Sequence, residues 1–185
     1  MRFSQKELRD LAIAWIVLAV ILARLNLALL PMSFIAVGTA FVCHELAHKY
    51  YAQRHHLFAE FRMWTNGLIL AIAIAVISQG QFIFAAPGAV YIYGYNVSPS
   101  VNGKISFAGP AVNLFVATLA MMLYVVFPSY LVAAVALINA FLGFFNLLPI
   151  HPLDGGKILN WNRLTYFGAL GWSLVLVFLT QYLLV

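Results

Sequence analysis

Val42-Cys43-His44-Glu45-Leu46-Ala47-His48 is the stretch that decides how this chain is read. It spells H-E-x-x-H and lies inside an apolar run from Met32 to Ala52. A run of that length reads as a helix, on which residues four apart sit about 40° apart around the axis and about 6 Å along it. His44 and His48 then project from one face, close enough to share one metal ion. Glu45 stands beside the first histidine, where it can reach a water molecule at the metal without ligating the metal. The competing account makes both histidines ordinary core residues bonded to carbonyls. The setting speaks against it, because an ionisable residue at mid-membrane costs about 2.5–3.5 kcal/mol and three polar groups fall here within five positions.

The rest of the chain supports a membrane setting. Apolar residues make up 64% and charged residues 8%, far from the soluble balance. The 185 residues suit one compact bundle, so 1–185 is taken as a single integral-membrane domain. The one cysteine, Cys43, excludes an internal disulfide and any multi-cysteine zinc site. The net charge is +5, but the basic residues are scattered near segment ends, which fits membrane orientation rather than nucleic-acid binding.

Outward from the motif, Leu11–Leu30 is long enough to span, with Arg24 snorkelling toward the interface. Met32–Gln53 is the second span. A polar link follows, in which His55 and His56 read as surface residues. Asn66–Gln79 is apolar but covers only about 20 Å, short of a hydrocarbon core. Gln81–Tyr95, aromatic and β-branched around Pro87-Gly88, reads as a strand that must be buried or line a cavity. Asn96–Lys104 reads as a polar loop. Ile105–Phe127, Tyr130–Leu148 and Leu164–Val185 are further spans. The expected fold is an all-α polytopic membrane protein with five to six transmembrane helices and a small re-entrant β element.

Two prolines and two glycines within residues 149–156 break the chain within or beside the membrane. This break supplies what H-E-x-x-H lacks, because a catalytic zinc site takes three protein ligands and leaves a fourth position open. Of the five acids, Glu7 and Asp10 lie in the N-terminal segment and Glu60 in a link. Glu45 and Asp154 alone fall within or beside apolar segments, so Asp154 is the expected third ligand. His151 is its rival, and otherwise a neighbour of the ligands or a surface residue. Asn146 either bonds substrate backbone or an oxyanion, or caps the broken helix; both readings stay open.

Taken together, His44–His48, then Ala108-Gly109-Pro110-Ala111-Val112-Asn113, then Phe145-Asn146-Leu147-Leu148-Pro149-Ile150-His151-Pro152-Leu153-Asp154-Gly155-Gly156 resemble the site-two protease family of intramembrane zinc metalloproteases. The likeness covers about residues 33–160, in the family's order. It implies a zinc endopeptidase with one Zn²⁺ per chain that cuts transmembrane segments of other proteins, often to release a regulator. Carried over by motif, His44, His48 and Asp154 are zinc ligands, Glu45 is the catalytic base, and Asn146 sits beside the bound peptide. Asn66–Gln79 is longer than the short strand region that the resemblance leads one to expect there.

Topology follows from the residues themselves. To share a metal, His44–His48 and Asp154 must lie at one depth, so an even number of crossings separates them. The helices at 105–127 and 130–148 make two, which leaves 66–79 and the strand after it as an in-and-out hairpin. With a cytoplasmic N-terminus, every Lys and Arg except Arg24 falls at or near the cytoplasmic side. The expected location is therefore the cell membrane, multi-pass, with the site in the cytoplasmic half. The expected partners are transmembrane protein substrates and the lipid bilayer, with no nucleic acid. A membrane zinc transporter is the alternative, but it needs polar residues through both leaflets and the outer half offers few. A zinc-binding scaffold is the other, and it leaves the full set of chemical groups without a use.

Overall fold

The computed structural model describes residues 1–24, 26–79, 87–94 and 97–184. α1 (Gln5–Leu22) starts at Ser4, whose side chain accepts a hydrogen bond from the Glu7 N–H, and stops where Arg24 turns to φ 51°. A single 3₁₀ turn leads into a long helical segment built of α2 (Leu30–Val37), a π-turn (Gly38–Val42) and α3 (Cys43–Arg54). β1 (Phe58–Met63), α4 (Thr65–Ile77) and β2 (Gly88–Tyr93) follow, then α5 (Pro99–Val126), α6 (Tyr130–Asn146), α7 (Asp154–Trp161) and α8 (Arg163–Leu184).

Among the described residues, three helical segments are long and apolar enough to cross a membrane: Leu27–Arg54, Pro99–Val126 and Arg163–Tyr182. The expectation was five to six. α4 and α6 are apolar but shorter, at 13 and 17 residues. α1 has 18 residues, and Lys6, Glu7, Arg9 and Asp10 fill its first two turns.

Two boundaries differ from the sequence reading. β1 lies in the stretch taken as a polar link, because Glu60 and Arg62 made it look solvated. Both carry partners instead: they form an ion pair with each other, and Glu60 is buried. α5 begins at Pro99, inside the expected polar loop. Ser98 caps it by accepting from the Val101 N–H, and Pro99 at the first helical position needs no intrahelical donor. The strand expected over Gln81–Tyr95 is present at Gly88–Tyr93; residues 80–86 and 95–96 lie outside the described residues.

β1 and β2 pair antiparallel, in register from Phe58 opposite Tyr93 to Met63 opposite Gly88. A lone two-stranded sheet is marginal by itself. Here α1 and α3 pack on it, and Phe61 meets Phe41 edge to face at 5.6 Å. This joins one apolar cluster, which includes Leu11, Phe41, Phe61 and Leu68. A second cluster, with Leu114, Met121, Leu147, Ile158 and Leu176, ties α5 to α6, α7 and α8. Alanines recur in it, at 117, 120, 136, 140 and 169, and small side chains let helices approach closely. α5 packs against α3, α6 and α7, so it carries the H-E-x-x-H helix on one side and the broken segment on the other.

Candidate metal centre and active site

α3 presents His44 and His48 toward α5, and both rings are buried. His44 Nδ1 lies 2.6 Å from Asn113 Oδ1, and His48 Nδ1 lies 2.8 Å from the Ile105 carbonyl. Each partner is an acceptor, so each Nδ1 carries the proton and each Nε2 keeps its lone pair. The two Nε2 atoms are 2.9 Å apart. Asp154 Oδ2, at the first residue of α7, lies 3.5 Å from His44 Nε2 and 3.1 Å from His48 Nε2. Two lone pairs and a carboxylate aimed at one point call for a cation.

Zinc fits this donor set. With bonds of about 2.0–2.1 Å, the edge of a zinc tetrahedron is about 3.3 Å, and the three donor separations scatter around that length. Two imidazoles and one carboxylate are also an ordinary set for catalytic zinc. Among the described residues, His44, His48 and Asp154 form the one group of three or more His, Cys, Asp or Glu side chains spaced for a metal.

The surrounding residues explain the motifs. A Cβ on Gly109 would collide with both imidazole rings, so glycine is what lets α5 pass beneath them. One turn later, Asn113 holds His44. Its Nδ2 donates to the Ala40 carbonyl at 2.8 Å and to Asn139 Oδ1 at 3.1 Å. Asn139 in turn donates to Thr39 Oγ1 and to the Val135 carbonyl. Ala40 lies in the π-turn just before the motif, so this network fixes the helix geometry as well as the ring. A Cβ on Gly155 would strike the Leu147 carbonyl, which explains why glycine follows Asp154 where α7 abuts the end of α6.

A cavity of about 490 Å³ opens onto this cluster. Glu45 lines it with both histidines and Asp154, and Val90 and Ile92 of β2 line it as well. Lys157 Nζ lies 3.7 Å from Asp154 Oδ1 and also faces the cavity. Asn146 lines the cavity but donates from Nδ2 to the Leu142 carbonyl at 3.1 Å, within its own helix. His151 is exposed and stands outside the three-residue cluster. His55 and His56 are likewise outside it. The sequence reading gave no role to Asn113, Ile105, Val90 or Lys157. The Gly-Pro-x-x-Asn pattern carried a signal for Asn113; main-chain partners carry none.

Over 168 residues, 87% of each chain, this protein is 42% identical to the "Putative zinc metalloprotease MJ0611" of Methanocaldococcus jannaschii. The chain belongs to peptidase family M50. This is the site-two protease family, and the family's sequence profile matches residues 126–163, which hold Asn146 and Asp154. Another relative in Bacillus subtilis, named "Putative zinc metalloprotease YwhC", is 28% identical over 72% of this chain and 70% of its own. A third, "Putative zinc metalloprotease Rip3" of Mycobacterium tuberculosis, is 31% identical over 66% of this chain but only 29% of its own length. No solved structure matches significantly. This M50 peptidase is thus a zinc-dependent protease and, from its apolar helices, a membrane protein.

Proposed function

We propose that this chain, as one domain over residues 1–185, hydrolyses peptide bonds within or beside transmembrane segments of other proteins. The observation that carries the reading is the His44–His48–Asp154 cluster at the wall of a cavity whose other wall is a β-strand edge. In this reading His44, His48 and Asp154 hold one zinc ion, which supplies Lewis acidity and makes a water molecule acidic enough to attack at neutral pH. Glu45 takes the proton from the attacking water and returns it to the leaving amine. Lys157 adds a positive charge beside Asp154 and the cavity.

A peptide bond inside a helix is shielded by its own hydrogen bonds, so the substrate must open into extended chain at the site. Among the described residues β2 pairs with β1 alone, and its other edge supports an added strand, giving main-chain bonds without a sequence requirement. Substrates then carry helix-weakening Gly, Pro or Asn near the cut.

The sheet also supports the in-and-out hairpin. Phe58 and Tyr93 are paired, so the excursion through α4 starts and ends at one level. At the far end, Ala71 and Ala75 of α4 pack with Ile21, near the end of α1. With α1, α6 and the α4 excursion counted beside the three long helices, the protein is multi-pass. The N-terminus and the site then lie toward the cytoplasmic side of the cell membrane. The test is co-expression of the intact protein with single-span membrane proteins, looking for fragments that appear with wild type and vanish with Glu45→Gln.

A further inference from the structure

Glu7 of α1 and Lys49 of α3 form a second polar cluster that the chemistry does not use. Both side chains are 1% exposed, and Lys49 Nζ lies 2.7 and 2.6 Å from the two Glu7 oxygens. The pair also grips β1: Lys49 donates to the Ala59 carbonyl at 2.9 Å, and the Phe61 N–H donates to Glu7 Oε1 at 3.0 Å. The Phe3 ring lies 4.6 Å from the ammonium.

Those two main-chain bonds lie two residues apart on one edge of β1, where a neighbouring strand would make them. In an antiparallel pair, successive residues turn their N–H and C=O to opposite edges. Ala59 and Phe61 stand opposite Ile92 and Val90, so the main-chain groups of Ile92 and Val90 face the other edge of the sheet. Val90 and Ile92 line the same cavity as Glu45, so that edge lies on the side of the site. An apolar pair could join α1 to α3 as well, and buried ion pairs are often replaceable that way. Only polar side chains can grip the main chain of β1.

We propose that Glu7 and Lys49 are positioning residues that fix the height of the sheet against the ligand helix, so that a strand added to β2 offers one particular bond to Glu45. Lys49 directly follows His48, so the grip is referred to a ligand itself. A slip of one residue moves a strand by about 3.4 Å and brings a different carbonyl to the site. The proposal rests on substrate addition to β2.

The test uses the full chain in liposomes with a designed single-span Leu/Ala peptide bearing a central Gly-Asn-Gly. Wild type, Glu7→Gln, Lys49→Met and the double variant Glu7→Leu/Lys49→Met are compared for bound zinc, KM, kcat and cleavage position by mass spectrometry. A photo-crosslinker at Tyr91 reports strand addition. The expected result is a wild-type cross-link and one main cut. The variants keep their zinc, spread the cut over neighbouring bonds, and raise KM more than they lower kcat. If a single variant fails to fold, the double variant decides, since its apolar pair packs without gripping β1. A cross-linking wild type whose folded variants all cut at the wild-type bond with unchanged KM overturns this proposal alone. Absence of the wild-type cross-link overturns strand addition and this proposal together.

Discussion

Asn113 Oδ1 lies 2.6 Å from His44 Nδ1, and the same amide donates to the Ala40 carbonyl at 2.8 Å. One side chain thus orients the His44 ring, a proposed zinc ligand, and secures the π-turn that leads into α3. Removing such a partner typically weakens metal affinity about 10–100-fold. Asn113→Ala is expected to lose zinc to a chelator in that range while staying folded. Asn113→Asp keeps the acceptor and is expected to fall between the two. Competition against a chromogenic chelator measures both.

Gly109 has no space for a side chain beneath the two imidazoles, whereas Gly156 has nothing within 4 Å of an added Cβ. Gly109→Ala is expected to displace the rings and lose most bound zinc. Gly156→Ala is expected to retain it. Metal content of the two purified proteins checks the contrast.

Asp154 lies 3.1 and 3.5 Å from the two Nε2 atoms, whereas His151 is exposed at the cavity rim. Asp154→Ala is expected to lose zinc and all cleavage, and His151→Ala to keep its zinc. The reverse pattern in metal analysis would exchange their roles.

Asn146 separates its two readings by magnitude. A donor to an oxyanion is worth about 10²–10³-fold in rate. Because its amide donates to Leu142 within α6, Asn146→Ala is expected to keep zinc and lose less than about 10²-fold in kcat. Single-turnover cleavage measures this.

The grouping of His44, His48 and Asp154 was legible because its chemistry is local or scarce. The four-residue spacing of His44 and His48 needs only a helix, and Asp154 stood out because so few acids occur in this chain. β2 was legible from its aromatic and β-branched residues around Pro87-Gly88. β1 was not, because Glu60 and Arg62 look solvated until they are seen to pair with each other. The start of α5 was hidden by the polar residues around a cap and a proline that favour a helix start. The hold of Asn113 on His44 spans 69 residues, and the bond from Glu7 to Phe61 spans 54. Contacts of that range depend on the finished packing of α1, α3, α5 and β1.

The most direct measurement is on Glu45→Gln, which keeps the size of the side chain and removes the base. Zinc content, peptide-bond cleavage and zinc flux are measured on wild type and variant, in the same liposomes with the same single-span substrate. The account predicts that the variant keeps its zinc through His44, His48 and Asp154. It predicts that cleavage falls by at least the 10²–10⁴-fold typical of losing a general base, and that neither protein moves zinc. Wild-type zinc flux without cleavage of any membrane substrate, or a Glu45→Gln protein that cleaves as fast as wild type, would contradict it.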